Sequence, residues 1–111
     1  MNPYSKLVAG APLAIVALSN SDNHKLPSAW QQDMGASLEN LLLEAVYLDL
    51  GAVWLGVATA EENMKFITDT FDLPKNIIPF GLVIVGYPDD SQKNSFTDRF
   101  DEKKVHYENW K

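Results

Sequence analysis

There is no cysteine in this chain. Disulfides, thiolate nucleophiles and zinc–thiolate centres are therefore excluded, although that absence does not fix the cellular compartment. Histidine is scarce: His24 and His106 lie far apart without ligand-like spacing, which argues against a metal site. Basic residues are outnumbered, nine Lys and Arg against fifteen Asp and Glu, for a net charge of −6. A surface that neutralises many phosphates needs the opposite balance, so no nucleic-acid partner is expected, while a local basic site for one phosphate stays open. Long apolar runs are missing too. Leu7 to Leu18 (LVAGAPLAIVAL) follows Lys6 and resembles the apolar core of a targeting signal. It is too short to span a bilayer, Pro12 interrupts it, and no small-x-small cleavage site precedes Ser19. It is read as a buried strand, and no membrane partner is expected.

What is present suffices for one domain. The 111 residues, 46% of them apolar, make a real but small core, so 1–111 is taken as a single unit without repeats.

The rest is organised around Asp33 to Thr59 (DMGASLENLLLEAVYLDLGAVWLGVAT). It reads as a long helix, a break at Asp49-Leu50-Gly51, and a strand from Ala52 to Ala58. At about 100° per residue, Met34, Leu38, Leu41, Leu42, Leu43, Ala45, Val46, Tyr47, Leu48 and Leu50 cover an arc of roughly 220°. A surface helix needs only a stripe somewhat wider than about 100°. The helix is therefore expected to be covered on several sides, by its own domain and by a second copy of the chain. The strand AVWLGVA is apolar on alternate positions of both faces, which implies cover on both. Its interior Gly56 marks either a bulge or a close approach by a ligand or another backbone.

Three more elements follow from pattern. Leu13 to Leu18 is a core strand between Ala-Pro and a polar Ser-Asn-Ser-Asp-Asn run. Ser28 with Gln31 forms a capping-box signature that starts the long helix, which runs to about Asp49. Thr59 with Glu62 forms another, opening a helix with Met64, Ile67 and Phe71 on one face and ending at Leu73-Pro74. Phe80 to Tyr87 (FGLVIVGY) is the third core strand. Three strands and two helices leave nothing to cover the second sheet face. Ser91 to Asp98 is polar and loop-like, and the tail after it (RFDEKKVHYENWK) holds Phe100, Val105, Tyr107 and Trp110. Such aromatics are poor residues for a disordered segment, so Lys104 to Trp110 is expected to extend along a sheet edge.

Taken together, WQQD (Trp30 to Asp33), SLENLLLEA, LGAVWLGV, LPKNIIPFGLVIVGYP (Leu73 to Pro88) and DRFDEKKVHYENW (Asp98 to Trp110) resemble the later part of the nitroreductase family of FMN-dependent oxidoreductases, in that family's order. The resemblance implies an α+β fold, a mainly antiparallel sheet with a long central helix. It further implies a cytoplasmic homodimer: the long helix forms much of the interface, the extended tail (91–111) packs on the partner's sheet, and FMN lies between the subunits. The implied activity is NAD(P)H oxidation through FMN, with a nitroaromatic, quinone or similar small molecule as acceptor, by a ping-pong hydride route.

Site residues follow position by position. Gly56 and Val57 correspond to the segment whose backbone N–H lies near flavin N5, where a donor orients the ring and tunes its chemistry. Trp54 and Leu55 would pack beside the ring. Arg99 matches an Arg that contacts the FMN phosphate, a role suited to a guanidinium fork; read from residues alone, it is a surface partner of Asp98 or Asp101. A neighbouring family Lys is here Thr97. The family's first two helices, with most of the phosphate clamp and the cation near flavin N1, precede the point where Met1-Asn2-Pro3-Tyr4 aligns, so the likeness is to a shortened member. A non-catalytic relative that dimerises and binds FMN weakly or not at all is the alternative.

Overall fold

The computed structural model describes residues 6–91 and 95–110. The stretch Met1 to Tyr4 aligned above lies outside the described residues, as do Gln92 to Asn94 and Lys111 of the tail. The order of elements is α1 (Lys6–Gly10), β1 (Leu13–Asn20), α2 (Trp30–Tyr47), β2 (Gly51–Gly56), α3 (Glu61–Phe71) and β3 (Ile77–Gly86). β3 is the central strand of an antiparallel sheet, flanked by β1 and β2. This is the α+β arrangement expected, with α2 as its long helix.

β3 is buried from Pro79 through Val85, because both sheet faces are covered. On one face Leu38 of α2 joins Phe80, Val83 and Val85, with Trp30, Met34 and Trp54 around them. On the other, Ile67 of α3 joins Leu55, Val57 and Leu82, with Val8 of α1 and Met64 alongside. The expectation of a bare second face is thus corrected: α3 covers it near β2, and α1, unforeseen in the run before Pro12, contributes Val8.

The register explains two oddities of β3. Ala17 pairs with Gly81 and Leu18 with Pro79, so Phe80 has no partner on β1. That irregularity accommodates Pro79, which cannot donate to a ladder, and the strand therefore begins three residues before the expected Phe80. Gly81 is required for packing: a Cβ there would lie 2.7 Å from Trp54 Nε1 and 2.8 Å from Leu38 Cδ1. The bulge considered at Gly56 does not form; Gly56 pairs in register with Gly81 at the end of β2.

Neither capping box forms. Ser28 lies inside a 3₁₀ turn, Pro27–Ala29, and α2 begins behind Ala29, which has no side-chain acceptor. Likewise α3 begins behind Ala60 rather than Thr59, and its start is favoured by Glu61 and Glu62 in the first turn. α2 ends as expected, with Asp49 at φ 59° and Leu50 N–H bonded to the Ala45 carbonyl.

Part of the molecule finds no cover among the described residues. Along α2, Leu38 and Ala45 are buried, but Leu43, Val46, Tyr47 and Leu48 are exposed. In the tail, Phe96, Phe100, Tyr107 and Trp110 are all at least 75% exposed. The tail's ordered pieces are a short turn at Glu102–Lys104, capped by Asp101, and a His106–Trp110 ring contact at 4.1 Å. Lys104 to Trp110 makes no strand with its own sheet. The accessible surface is 8875 Å², whereas a compact monomer of 12.4 kDa exposes about 6,100 Å². The radius of gyration is 17.0 Å, against about 13 Å for a compact chain of this length.

Candidate functional site

The stretch Trp54 to Val57 leaves the sheet at the end of edge strand β2. Strand alternation sends its side chains to opposite faces. Trp54 packs toward α2, its ring centroid 5.7 Å from that of Phe80. Leu55 and Val57 are buried against α3. What this segment can offer a ligand is thus chiefly backbone. Gly56 is exposed, and a Cβ built there would meet no atom within 4 Å. The Val57 carbonyl accepts from Ala60 N–H at 3.1 Å and Ala58 N–H donates to the Phe80 carbonyl at 2.9 Å. No turn, loop or cap bond among the described residues takes up Val57 N–H. Val57 itself is fully buried in the protomer, so what the end of β2 presents is an exposed glycine backbone with open space above it.

Arg99 lies on the exposed tail. The surface pairing considered for it is not made among the described residues: Asp98 accepts from Phe100 N–H and Asp101 from Lys103 N–H. Its guanidinium is therefore free to meet an anion. No hydrogen bond or ion pair joins it to the Trp54–Val57 segment within the protomer.

Three polar features are not apparent from the residue pattern. Asn63, in the first turn of α3, donates through Nδ2 to the Gly56 carbonyl at 3.5 Å; an Asn three positions into a helix behind a strand end was the available signal. Ser19, buried, is hydrogen-bonded to His24 Nε2 at 2.6 Å, and the His24 ring stacks on Trp30 at 5.7 Å. Asp89, in the turn after β3, has its carboxyl held below the usual range by Ser91 N–H, with the Ser91 hydroxyl adding to the effect. Among the described residues no group of three or more His, Asp or Glu could hold a metal ion, and no helix is long and apolar enough to cross a membrane.

Two concavities lie elsewhere. One, of about 530 Å³, is bounded by Lys6, Pro12, Gly51, Val53 and Tyr87, at the far end of β2 from Gly56. The other, of about 560 Å³, lies between α1, β1 and α3 and is lined by Val8, Val16, Phe66 and Phe71. Both are shaped by apolar stretches and neither contains Gly56, Val57 or Arg99. Neither concavity includes the exposed Gly56 backbone at the end of β2.

Residues 1–87 match the model of the Nitroreductase family. The chain is 37% identical over 110 residues to a Methanothermobacter thermautotrophicus protein provisionally named NADH dehydrogenase/NAD(P)H nitroreductase, a match covering 99% of this chain and 56% of that one. Among solved structures, a provisionally named NADH oxidase of Clostridium acetobutylicum superposes with a TM-score of 0.94 at 48% identity, over 98% of this chain and 65% of that one. A provisionally named nitroreductase of Desulfovibrio desulfuricans, solved in complex with FMN, gives a TM-score of 0.75 at 26% identity, over 99% and 62%. The chain thus spans between 56% and 65% of the length of these relatives.

Proposed function

This chain belongs to the nitroreductase family, and from that membership we propose that it is an FMN-dependent NAD(P)H oxidoreductase acting on nitroaromatic, quinone or similar acceptors as a cytoplasmic homodimer. The observation that carries the reading is the end of β2: an exposed glycine with open space at its Cβ position. A flat ring needs such a gap beside the backbone. FMN, when bound, supplies hydride acceptance from NAD(P)H and hydride delivery to the acceptor. The chain's own residues bind and orient. Gly56 lets the ring approach the backbone. Trp54 and Leu55 stiffen the strand beneath by packing into the two cores. Arg99 offers the phosphate a charge-assisted contact.

The dimer is supported independently. The surface exceeds that of a compact monomer by about 2,700 Å², an amount on the scale of obligate interfaces, about 2,000 Å² and above. Among the exposed large apolar side chains are Leu43, Val46 and Tyr47 of α2, Leu48 just beyond its end, and the tail aromatics. A second copy placed against them also supplies the missing wall of the flavin site. The test is to add FMN to the purified protein, remove free flavin, and record the spectrum and the rate of NAD(P)H oxidation with a quinone. Retained flavin absorbance with flavin-dependent turnover is expected. A protein that stays colourless in excess FMN would overturn the assignment and leave the non-catalytic reading in its place.

A further inference from the structure

Gly56 and Gly81 face each other across the β2–β3 ladder, so the places where their side chains would stand lie on one face of the sheet, about 4.5–5.5 Å apart. The two places are used differently. Above Gly81 the room is taken: a Cβ there would lie 2.7 Å from Trp54 Nε1 and 2.8 Å from Leu38 Cδ1. Above Gly56 a Cβ would meet nothing within 4 Å. Trp54 Nε1 is therefore more than 4 Å from the Gly56 Cβ position and within about 8 Å of it. Packing holds the indole there. Its far end, Cη2, reaches Gly35 of α2, where a Cβ would lie 3.8 Å from it, and its ring centroid is 5.7 Å from that of Phe80.

An indole N–H only donates, and in a packed setting it ordinarily finds an acceptor. Trp54 Nε1 has none among the described residues, where no buried side-chain nitrogen or oxygen is left unpaired. Trp54 is only partly buried, so this N–H is open to whatever comes beside it. A fixed, unpaired donor bordering an open seat over a glycine fits a flat ring with an acceptor on its edge. Building on the flavin reading above, we propose that Trp54 Nε1–H donates a hydrogen bond to the edge of an isoalloxazine ring seated over Gly56. One side chain thereby packs the α2 core with its rings and recognises the ligand with its N–H. The dimethylbenzene end of the flavin has no acceptor, so the contact selects the orientation that turns the flavin's nitrogen and carbonyl edge toward Trp54.

The test replaces Trp54 alone with 3-benzothienylalanine, in which sulfur stands in place of N–H and both fused rings are kept. Trp54→Phe would also remove ring surface from the core, so the isostere is the cleaner variant. Dissociation constants for FMN and for riboflavin are measured on the apo-protein of the natural chain and of the variant, together with the thermal unfolding of each apo-protein. Affinity should fall by a few-fold to about tenfold, the range of one neutral hydrogen bond. The loss should be the same for FMN and riboflavin, because the contact lies on the ring. The apo-proteins should unfold at the same temperature, because the N–H has no partner in the protomer to lose. Unchanged affinity in the variant would overturn the role of Trp54 while leaving the flavin site intact. An apo-protein that melts lower in the variant would assign the N–H to the fold and overturn the role as well. Binding of neither flavin by the natural chain would remove the functional reading altogether, and this contact with it.

Discussion

β3 and the tail both carry large apolar side chains, and the two meet opposite fates. β3 is buried without a break from Pro79 to Val85, between α2 on one face and α3 with α1 on the other. The tail leaves Phe100 75%, Tyr107 84% and Trp110 87% exposed. The difference lies in what the chain places opposite each of them. β3 is covered by elements of its own protomer, whereas among the described residues the tail aromatics and the side chains of Leu43, Val46, Tyr47 and Leu48 stay exposed. The bare surfaces are those that a second copy would cover in the dimer proposed above.

The contrast is broken most strongly by removing the tail. Full burial of an aromatic side chain contributes about 1.5–3 kcal/mol, so Phe100, Tyr107 and Trp110 together account for roughly 5–9 kcal/mol per protomer. A micromolar dissociation constant corresponds to about 8 kcal/mol. Deletion of Arg99 to Lys111 is therefore expected to turn a stable dimer into monomers at micromolar concentration. Light scattering reads the outcome, and an unchanged dimer with an unchanged melting temperature would make the tail a loose end.

Leu38→Ala strikes the other side of the comparison. Leu38 is 2% exposed within the α2 core, and such truncations cost about 2–5 kcal/mol; denaturant unfolding should show a loss in that range. Gly81→Ala should cost somewhat less, about 1–3 kcal/mol as overpacking. Its Cβ would collide with Trp54 and Leu38, and the displaced Trp54 lies two residues before Gly56. Tyr47→Ser, by contrast, alters an exposed side chain. It should move the stability of the tail-deleted monomer by no more than about 0.5 kcal/mol while weakening the full-length dimer. Equal effects on both would mean that Tyr47 is ordinary surface.

These pairs also show what could be read from sequence. The three strands and both longer helices follow from apolar period and turn residues, because those signals are local. The boundaries that failed depended on tertiary context. Ser28 and Thr59 have the right chemistry for caps, but each sits one residue before the position next to the helix start, and Ala29 and Ala60 stand there instead. The third strand starts at Ile77, ahead of the expected Phe80, because a register in which Phe80 has no β1 partner admits Pro79. At the site, the resemblance directed attention to Trp54–Val57 and Arg99, yet nothing in the residue pattern shows that Leu55 and Val57 turn inward, leaving backbone as the contact surface. Asn63 is legible only once α3 has folded back to bring it to the Gly56 carbonyl.

In the proposed site, FMN is held at its ring by backbone and at its phosphate by Arg99. A hydrogen bond to a charged group contributes about 1.5–3 kcal/mol, which converts to roughly tenfold to a hundredfold in affinity. The direct measurement is the dissociation constant of Arg99→Ala for FMN and for riboflavin, which lacks the phosphate, each against the natural chain. A loss in that range is expected for FMN and almost none for riboflavin; equal losses for the two ligands would show that the phosphate is held elsewhere.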